Sequence, residues 1–301
     1  MLKLDKVGKT YRIGAFGGQE LRAVHDVSFQ VNPGEVVSLI GESGSGKSTI
    51  GKMVLRLLPP SAGAITLDGT PEADYYRHVQ GVFQDPFSSY NPIFKADRVF
   101  EMVRQGFGLP SQDWREKVEA ALRSVRLDPG AVLGKYPHQL SGGQLQRMLI
   151  ARALLLELKV LVADEIISML DASTRIDVLN LLGELRERGL GILFITHDLS
   201  LGNYVSDRTV VLYKGRMVET GRTDRVFGDP RHPYTRRLLA SVPQLHRKWS
   251  EEEEQPEPEA ECLFHAPGEG WVEPDHFVGC AFGGEQDECP RAAEAVVIPL
   301  R

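Results

Sequence analysis

The strongest constraint on this chain is an eight-residue run, Gly41-Glu42-Ser43-Gly44-Ser45-Gly46-Lys47-Ser48, which fits the pattern G-x-x-x-x-G-K-[ST]. Before it stands a short apolar run, Val36-Val37-Ser38-Leu39-Ile40, which reads as a buried strand. After it, Ile50, Met53, Val54, Leu57 and Leu58 recur at the spacing of one helix face, and Pro59-Pro60 is expected to stop that helix. A Gly-rich turn between a strand and a helix has one demanding use. Its backbone N–H groups converge on phosphate oxygens, and the helix N-terminus adds positive potential. In that setting Lys47 bridges the β- and γ-phosphates of a nucleotide, and Ser48 offers a hydroxyl to Mg2+. A merely flexible Gly/Ser loop would need neither Lys47 nor the flanking strand and helix.

A second apolar run, Val160-Leu161-Val162-Ala163, ends in Asp164-Glu165. Strands often end in acids, so alone the pair says little. Beside a phosphate cradle it gains a purpose: Asp164 would hold Mg2+ through its water shell, and Glu165 would polarise an attacking water. Ile192-Leu193-Phe194-Ile195 is a further buried strand, and Val210–Tyr213 with Arg216–Glu219, joined by Lys214-Gly215, reads as a hairpin. Between Asp85 and Leu155 the pattern turns helical, with Trp114, Val118, Ala121, Leu122 and Val125 at helical spacing, then Leu145, Met148, Leu149 and Arg152. The whole predicts an α/β chain with a largely parallel sheet covered by helices and a helical insertion.

Composition narrows the class further. Of 301 residues, 25% are charged and 42% hydrophobic, which is ordinary for a globular protein with a sizeable core. The most apolar stretch, Met148 to Ala163, is interrupted by Arg152, Glu157 and Lys159, so no membrane span is expected. The opening residues lack the apolar core of a signal peptide, and three cysteines without a CxxC suggest no disulfide framework. A cytosolic chain is expected. The net charge of −6 hides a split: residues 250–301 hold 14 acidic groups against Arg291 and Arg301, while the rest carries 33 basic and 27 acidic groups. An acidic tail on a mildly basic body argues against nucleic acid as a partner. The run Glu251–Pro258 reads as a solvated linker.

Leu140-Ser141-Gly142-Gly143-Gln144-Leu145-Gln146-Arg147 resembles the LSGGQ signature of ATP-binding-cassette (ABC) proteins. The resemblance implies a P-loop NTPase, RecA-like cassette with an antiparallel β subdomain, an inserted α-helical subdomain and a C-terminal extension. It implies ATP and Mg2+ as ligands, and two cassettes meeting head-to-tail. Each ATP then lies between one chain's cradle, Gly41, Ser43, Gly44, Ser45, Gly46, Lys47, Ser48 and Thr49, and the other's Ser141, Gly142, Gly143 and Gln144. Read from the residues alone, Ser141 could equally be an ordinary helix N-cap. The remaining family motifs follow in order. Tyr11 stands where an aromatic stacks on adenine. Gln84 matches the glutamine that reaches Mg2+ and the water. Asp171, in Ser168-Met169-Leu170-Asp171, matches the loop that crosses the dimer interface, and His197 the histidine on the γ-phosphate. The catalytic set implied is therefore Glu165, His197 and Gln84, with Ser48, Gln84 and Asp164 on Mg2+. Where the family has Pro-Thr after the catalytic pair, this chain has Ile166-Ile167, which bears on the interface geometry and the equivalence of two sites.

Arg231-His232-Pro233-Tyr234-Thr235-Arg236-Arg237-Leu238-Leu239, then Val242-Pro243, resembles the C-terminal region of oligopeptide/dipeptide importer ATPases. Val82–Pro92 and the insertion Gly14–Gln19 resemble the same branch. This implies an ATPase subunit of a membrane importer, on the cytoplasmic face of the membrane. Its partners would be a second, usually different ABC ATPase chain, two transmembrane permease subunits and an extracytoplasmic substrate-binding protein. Peptides are the implied cargo, with oligosaccharides or nickel as alternatives. A hydrolysis-poor partner cassette and a non-transport ABC ATPase are the other readings. The domain plan is residues 1–86 and 156–234 for the ATP-binding core, 87–155 for the helical subdomain and 235–301 for the extension. Some relatives carry an iron–sulfur cluster in this tail. Here Cys262, Cys280 and Cys289, near His265 and His276, do not match a compact four-cysteine spacing, so reduced thiols are expected.

Overall fold

The computed structural model describes residues 1–13, 18–241, 271–273 and 275–279. The Gly-rich segment 14–17, residues 242–243, the acidic run 251–258, and Cys262, His265, Cys280 and Cys289 lie outside the described residues.

Strands β1 (Leu2–Ile13) and β2 (Gln19–Val31) pair antiparallel and lead into β3 (Val36–Ile40) and α1 (Lys47–Val54). β4 (Ala62–Leu67) joins the free side of β1, completing a three-stranded sheet in the order β2-β1-β4. After α2 (Tyr75–His78) and β5 (Val79–Val82) comes the helical insertion: α3 (Arg98–Gly106), α4 (Trp114–Ser124), α5 (Pro129–Val132) and α6 (Gly142–Leu154). The chain then returns through β6 (Val160–Asp164), α7 (Ala172–Glu187), β7 (Gly191–Ile195), α8 (Leu199–Val205), β8 (Arg208–Tyr213) and β9 (Arg216–Arg222). It ends in α9 (Thr223–Gly228), α10 (Pro233–Ala240), β10 (Trp271–Glu273) and β11 (His276–Val278). The large sheet runs β10-β11-β9-β8-β3-β7-β6-β5, parallel from β8 to β5 and antiparallel at the other edge.

The apolar runs of the sequence are continuous because both faces of these strands are covered. Along β7, Ile192 and Phe194 face α6 and α7, packing with Leu145, Met148, Leu149 and Leu182. Their neighbours Leu193 and Ile195 face α1 and the small sheet, packing with Ile50, Met53, Leu4 and Val27. Alternation with period two therefore splits one strand between two cores. Phe194 is fully buried, so Phe194→Ala is expected to destabilise the chain by about 3–5 kcal/mol, read from urea unfolding. The Ser38 in this apolar setting has its own account. Its Oγ lies 2.9 Å from Thr209 Oγ1, which lies 2.9 Å from Thr223 Oγ1, a buried hydroxyl ladder that ties β3 to β8 and α9.

The helices of the insertion bury the residues their spacing predicts, Val118, Ala121 and Leu122 on α4, and Leu145, Met148 and Leu149 on α6. The hairpin forms with Lys214 and Gly215 both at positive φ, as a tight primed turn requires. One expectation fails. α1 stops at Val54, well before Pro59-Pro60, and Leu57 is 63% exposed rather than on the buried face. The helix is closed by its backbone: Leu55 N–H donates to Gly51 O and Leu57 N–H to Lys52 O, both at 2.9 Å, with Arg56 left-handed at φ +54°. That closure usually takes a glycine, so Arg56 gives no sign of it in the sequence.

Candidate active site

β3, β6 and β7 are parallel neighbours, so their carboxyl ends share one edge of the sheet. Ligands of open α/β sheets bind at that edge. Two glycines shape the loop after β3. Gly41 sits at φ +151°, where a Cβ would lie 2.2 Å from the Leu212 carbonyl oxygen. Gly46 caps α1 at φ +104°, where a Cβ would lie 2.7 Å from Ala23 O. No side chain of the cap occupies the free N–H groups of the first turn of α1, which stay available to an anion.

Lys47 is only 5% exposed and bends back over the loop. Its ammonium donates to Gly41 O at 2.7 Å and to Glu42 O at 2.8 Å, and lies 3.4 Å from Ser45 Oγ. Burial lowers its pKa, while Glu165, Asp164 and Glu42 pull the other way. The cleft beside it has a volume of about 440 Å3. Ser43, Gly44, Gly46, Lys47, Ser48 and Thr49 form one wall, Glu165 and His197 the other, and Ala23 of β2 closes the rim.

Glu165 follows β6 in a left-handed conformation at φ +52°, pinned by its N–H on Ile195 O at 2.9 Å and by Ser168 Oγ donating to its carbonyl at 2.9 Å. Such a conformation costs a non-glycine residue about 1–3 kcal/mol and marks a position the surroundings over-determine. It carries the carboxylate across to β7. There, His197 Nδ1 lies 3.1 Å from Glu165 Oε1, and with an ionised carboxylate the ring nitrogen is the donor.

Asp164 is mostly buried, and desolvation, then Glu165, pushes its carboxyl up from the usual range. Its Oδ1 is buried without a hydrogen-bond partner among the described residues, and the Ser48 hydroxyl lies beside the same carboxyl group. An orphaned carboxylate oxygen next to a serine hydroxyl is a pair of hard oxygen donors, which is what Mg2+ takes. A cation there would pair with that buried carboxyl group and favour its charged form, so the residues fit the ion.

The other expected residues stand elsewhere. Gln84 is exposed just past β5, off the cleft lining. Tyr11 lies on β1 opposite Leu21, with the Lys9 ammonium 5.5 Å from its ring centroid, and it does not line the cleft. Ser141 is the N-cap of α6. Its Oγ accepts from Gln144 N–H at 3.2 Å while Gln144 Oε1 accepts from Ser141 N–H at 2.9 Å. Gly142 and Gly143 open that helix. Asp171 caps α7, accepting from Ser173 Oγ, Thr174 N–H and Thr174 Oγ1, which hold its carboxyl well below the usual range. Ile166 and Ile167 are buried in the core with Leu170 and α7, so the departure from Pro-Thr is taken up by apolar packing. The rim residue Ala23 and the left-handed Glu165 carry no signal in the sequence.

Two stretches of the chain match family models: ABC transporter over residues 24–168, and oligopeptide/dipeptide transporter, C-terminal region, over residues 218–295. A Sinorhizobium fredii protein named as a peptide ABC transporter ATP-binding protein is 37% identical over 319 aligned positions, covering 100% of this chain and 86% of that one. The chain belongs to the ABC transporter ATP-binding family. A Brucella ovis ABC relative, named as a peptide import ATP-binding protein, is 44% identical over 234 residues, 74% of this chain and 73% of that one. The glutathione import ATP-binding protein of Escherichia coli is 44% identical over 235 residues, 75% of this chain but 38% of its own length. Among solved structures, cbiO1 of Clostridium perfringens, part of an ABC transporter complex, superposes with a TM-score of 0.65 at 29% identity, covering 76% and 90% of the two chains. A dimeric ATP-binding cassette in a post-hydrolysis state with ADP and Pi superposes at 0.63 and 27% identity, covering 74% and 99%. As a member of the ABC family the chain is an α/β cassette and the ATP-hydrolysing subunit of an importer. Among the described residues, no helix is long and apolar enough to cross a membrane.

Proposed function

We propose that this chain is one of two ATPase cassettes powering a peptide importer, and that its ATP is clasped between this chain and the second cassette. One observation carries the reading: the Lys47 loop and the Glu165–His197 pair line one cleft on the carboxyl edge of the sheet, with the Asp164 carboxyl beside Ser48 of that loop. Phosphates are held by Lys47 and by the backbone of Gly41, Ser43, Gly44, Ser45, Gly46, Ser48 and Thr49, with Tyr11 stacking on adenine. Ser48 and Asp164 would hold Mg2+, with Gln84 reaching the ion from beyond the cleft lining, and the ion would supply charge neutralisation on the phosphate oxygens. Glu165 orients and accepts the proton of the attacking water. His197 first fixes that carboxylate through its Nδ1, then stabilises charge developing on the transferred phosphoryl group.

Ser141, Gly142, Gly143, Gln144 and Asp171 serve the nucleotide of the second cassette. In support, the exposed Ser141 end of α6 is outside the lining of the chain's own cleft. Loss of the bridging phosphate then lets the pair part. The motion reaches a permease through the helical subdomain, residues 87–155, where Phe87, Ile93 and Phe94 are exposed. Residues 1–86 and 156–234 form the ATP-binding core and 235–301 the extension. Peptide as cargo is supported by the names of the importer relatives; with it go a different second cassette, two permease subunits, an extracytoplasmic binding protein and a place on the cytoplasmic face of the membrane. Purifying the tagged chain in mild detergent tests the assembly. Two permeases and a second cassette are expected at equal stoichiometry, and recovery of the chain alone from membranes that contain those subunits would contradict it.

A further inference from the structure

The loop that binds phosphate is held from behind by the C-terminal region. Glu42 N–H donates to the Tyr234 hydroxyl at 3.0 Å across 192 residues of sequence. This N–H belongs to the same peptide unit as the Gly41 carbonyl that receives Lys47 Nζ at 2.7 Å. In a trans peptide the C=O and N–H point in opposite directions. Tyr234 therefore grips one end of a rigid plane whose other end tethers the phosphate-binding lysine.

The grip is itself braced. Tyr234 is 5% exposed on α10, its ring packed on Tyr213 with centroids 4.3 Å apart. Burial pushes its hydroxyl up to about 12, so it stays un-ionised. The preceding His232 is buried, and burial pushes its ring down to about 4. The neutral Nδ1 accepts from Tyr234 N–H at 3.1 Å and starts the helix. The turn ahead of it hangs on Glu219 of β9, whose carboxylate accepts from Arg231 N–H at 2.8 Å, His232 N–H at 3.0 Å and His276 Nε2 of β11 at 2.7 Å. All these groups lie outside the lining of the nucleotide cleft.

We infer that Tyr234 is a positioning residue for ATP binding, fixing the Gly41–Glu42 peptide so that Lys47 is aimed at the phosphates. An ammonium has three donors, so Lys47 can keep its Gly41 tether while turning another donor to a phosphate oxygen. Without the hydroxyl that peptide is free to rotate, and the tether loses its direction. The inference rests on the nucleotide reading of the cleft. It gives the His-Pro-Tyr segment a task in the ATP site.

Tyr234→Phe removes one oxygen and keeps the ring, so the chain folds. The dissociation constant for MgATP, measured by titration calorimetry on the full chain, is expected to rise about fivefold, the loss of one neutral hydrogen bond. In the assembled complex KM should rise with kcat within about twofold, and hydrogen exchange at the Glu42 amide should quicken. Arg236→Ala serves as the control, because it frees α10 from Pro230 O without touching the hydroxyl, and should leave both readouts unchanged. Unchanged affinity and unchanged Glu42 exchange in Tyr234→Phe would overturn the assignment while leaving the nucleotide site intact. Equal weakening by Arg236→Ala would also overturn it, by reducing the effect to general loosening. A wild-type chain that binds no MgATP would overturn the nucleotide reading and this assignment with it.

Discussion

Glu165→Gln is expected to lower kcat of the assembled transporter by about 10²–10⁴-fold, the usual worth of a positioned general base. The substitution preserves side-chain volume, and a glutamine oxygen can still accept from His197 Nδ1, now 3.1 Å from Glu165 Oε1. The left-handed backbone at φ +52° is fixed by the Ile195 carbonyl and Ser168, neither of which touches the side chain's carboxyl group. Only the ability to take a proton is lost. Nucleotide binding should therefore persist and the closed pair should accumulate. Single-turnover phosphate release with unchanged MgATP affinity is the signature. A variant that retains more than about a tenth of wild-type turnover would assign the base to another group, or would make this cassette the silent member of its pair.

Lys47→Ala is expected to weaken MgATP binding by about 10–100-fold, since hydrogen bonds to charged groups contribute about 1.5–3 kcal/mol each. Among the residues lining the cleft, Lys47 is the one Lys or Arg. Fold stability should change little. Burial lowers the Lys47 pKa, so the folded chain bears a desolvation cost for the ammonium that the substitution relieves. Against this, the buried Gly41 O and the part-buried Glu42 O each lose a donor, which offsets that relief. Calorimetric affinity together with the thermal midpoint separates the two effects. An affinity within about twofold of wild type would remove Lys47 from the phosphate site.

Much of this architecture was legible because its signals are local. The strand–glycine turn–helix context of Gly41–Ser48, the apolar run into Asp164-Glu165 and the 3.6-residue spacing of Val118, Ala121 and Leu122 each lie within one window. They appear as β3–α1, β6 and α4. The Lys214-Gly215 turn was readable because two positive φ angles in succession favour few residue pairs. What escaped depends on partners distant in sequence or on a residue in a conformation it rarely adopts. Arg56 closes α1 where a glycine would have announced the end. Ser38 looks out of place in an apolar strand until Thr209 and Thr223 are brought to it. The reach of Tyr234 to Glu42 exists only once α10 is folded against the loop after β3. His276 counted in sequence as a neighbour of the cysteines, yet it belongs to β11, between β10 and β9, and is buried on Glu219.

Ser141 shows how one residue answers two readings. It is an N-cap, with a reciprocal capping box to Gln144. The same helix start, exposed at Ser141, is free to meet a ligand that this chain's own cleft does not bring to it.

The most direct measurement of that arrangement is a structure of the Glu165→Gln chain with its partner cassette and trapped MgATP. Residues 140–144 of one cassette should lie over the nucleotide held by the Lys47 loop of the other. A nucleotide fully enclosed by one chain, with Ser141 and Gly143 facing solvent, would contradict it.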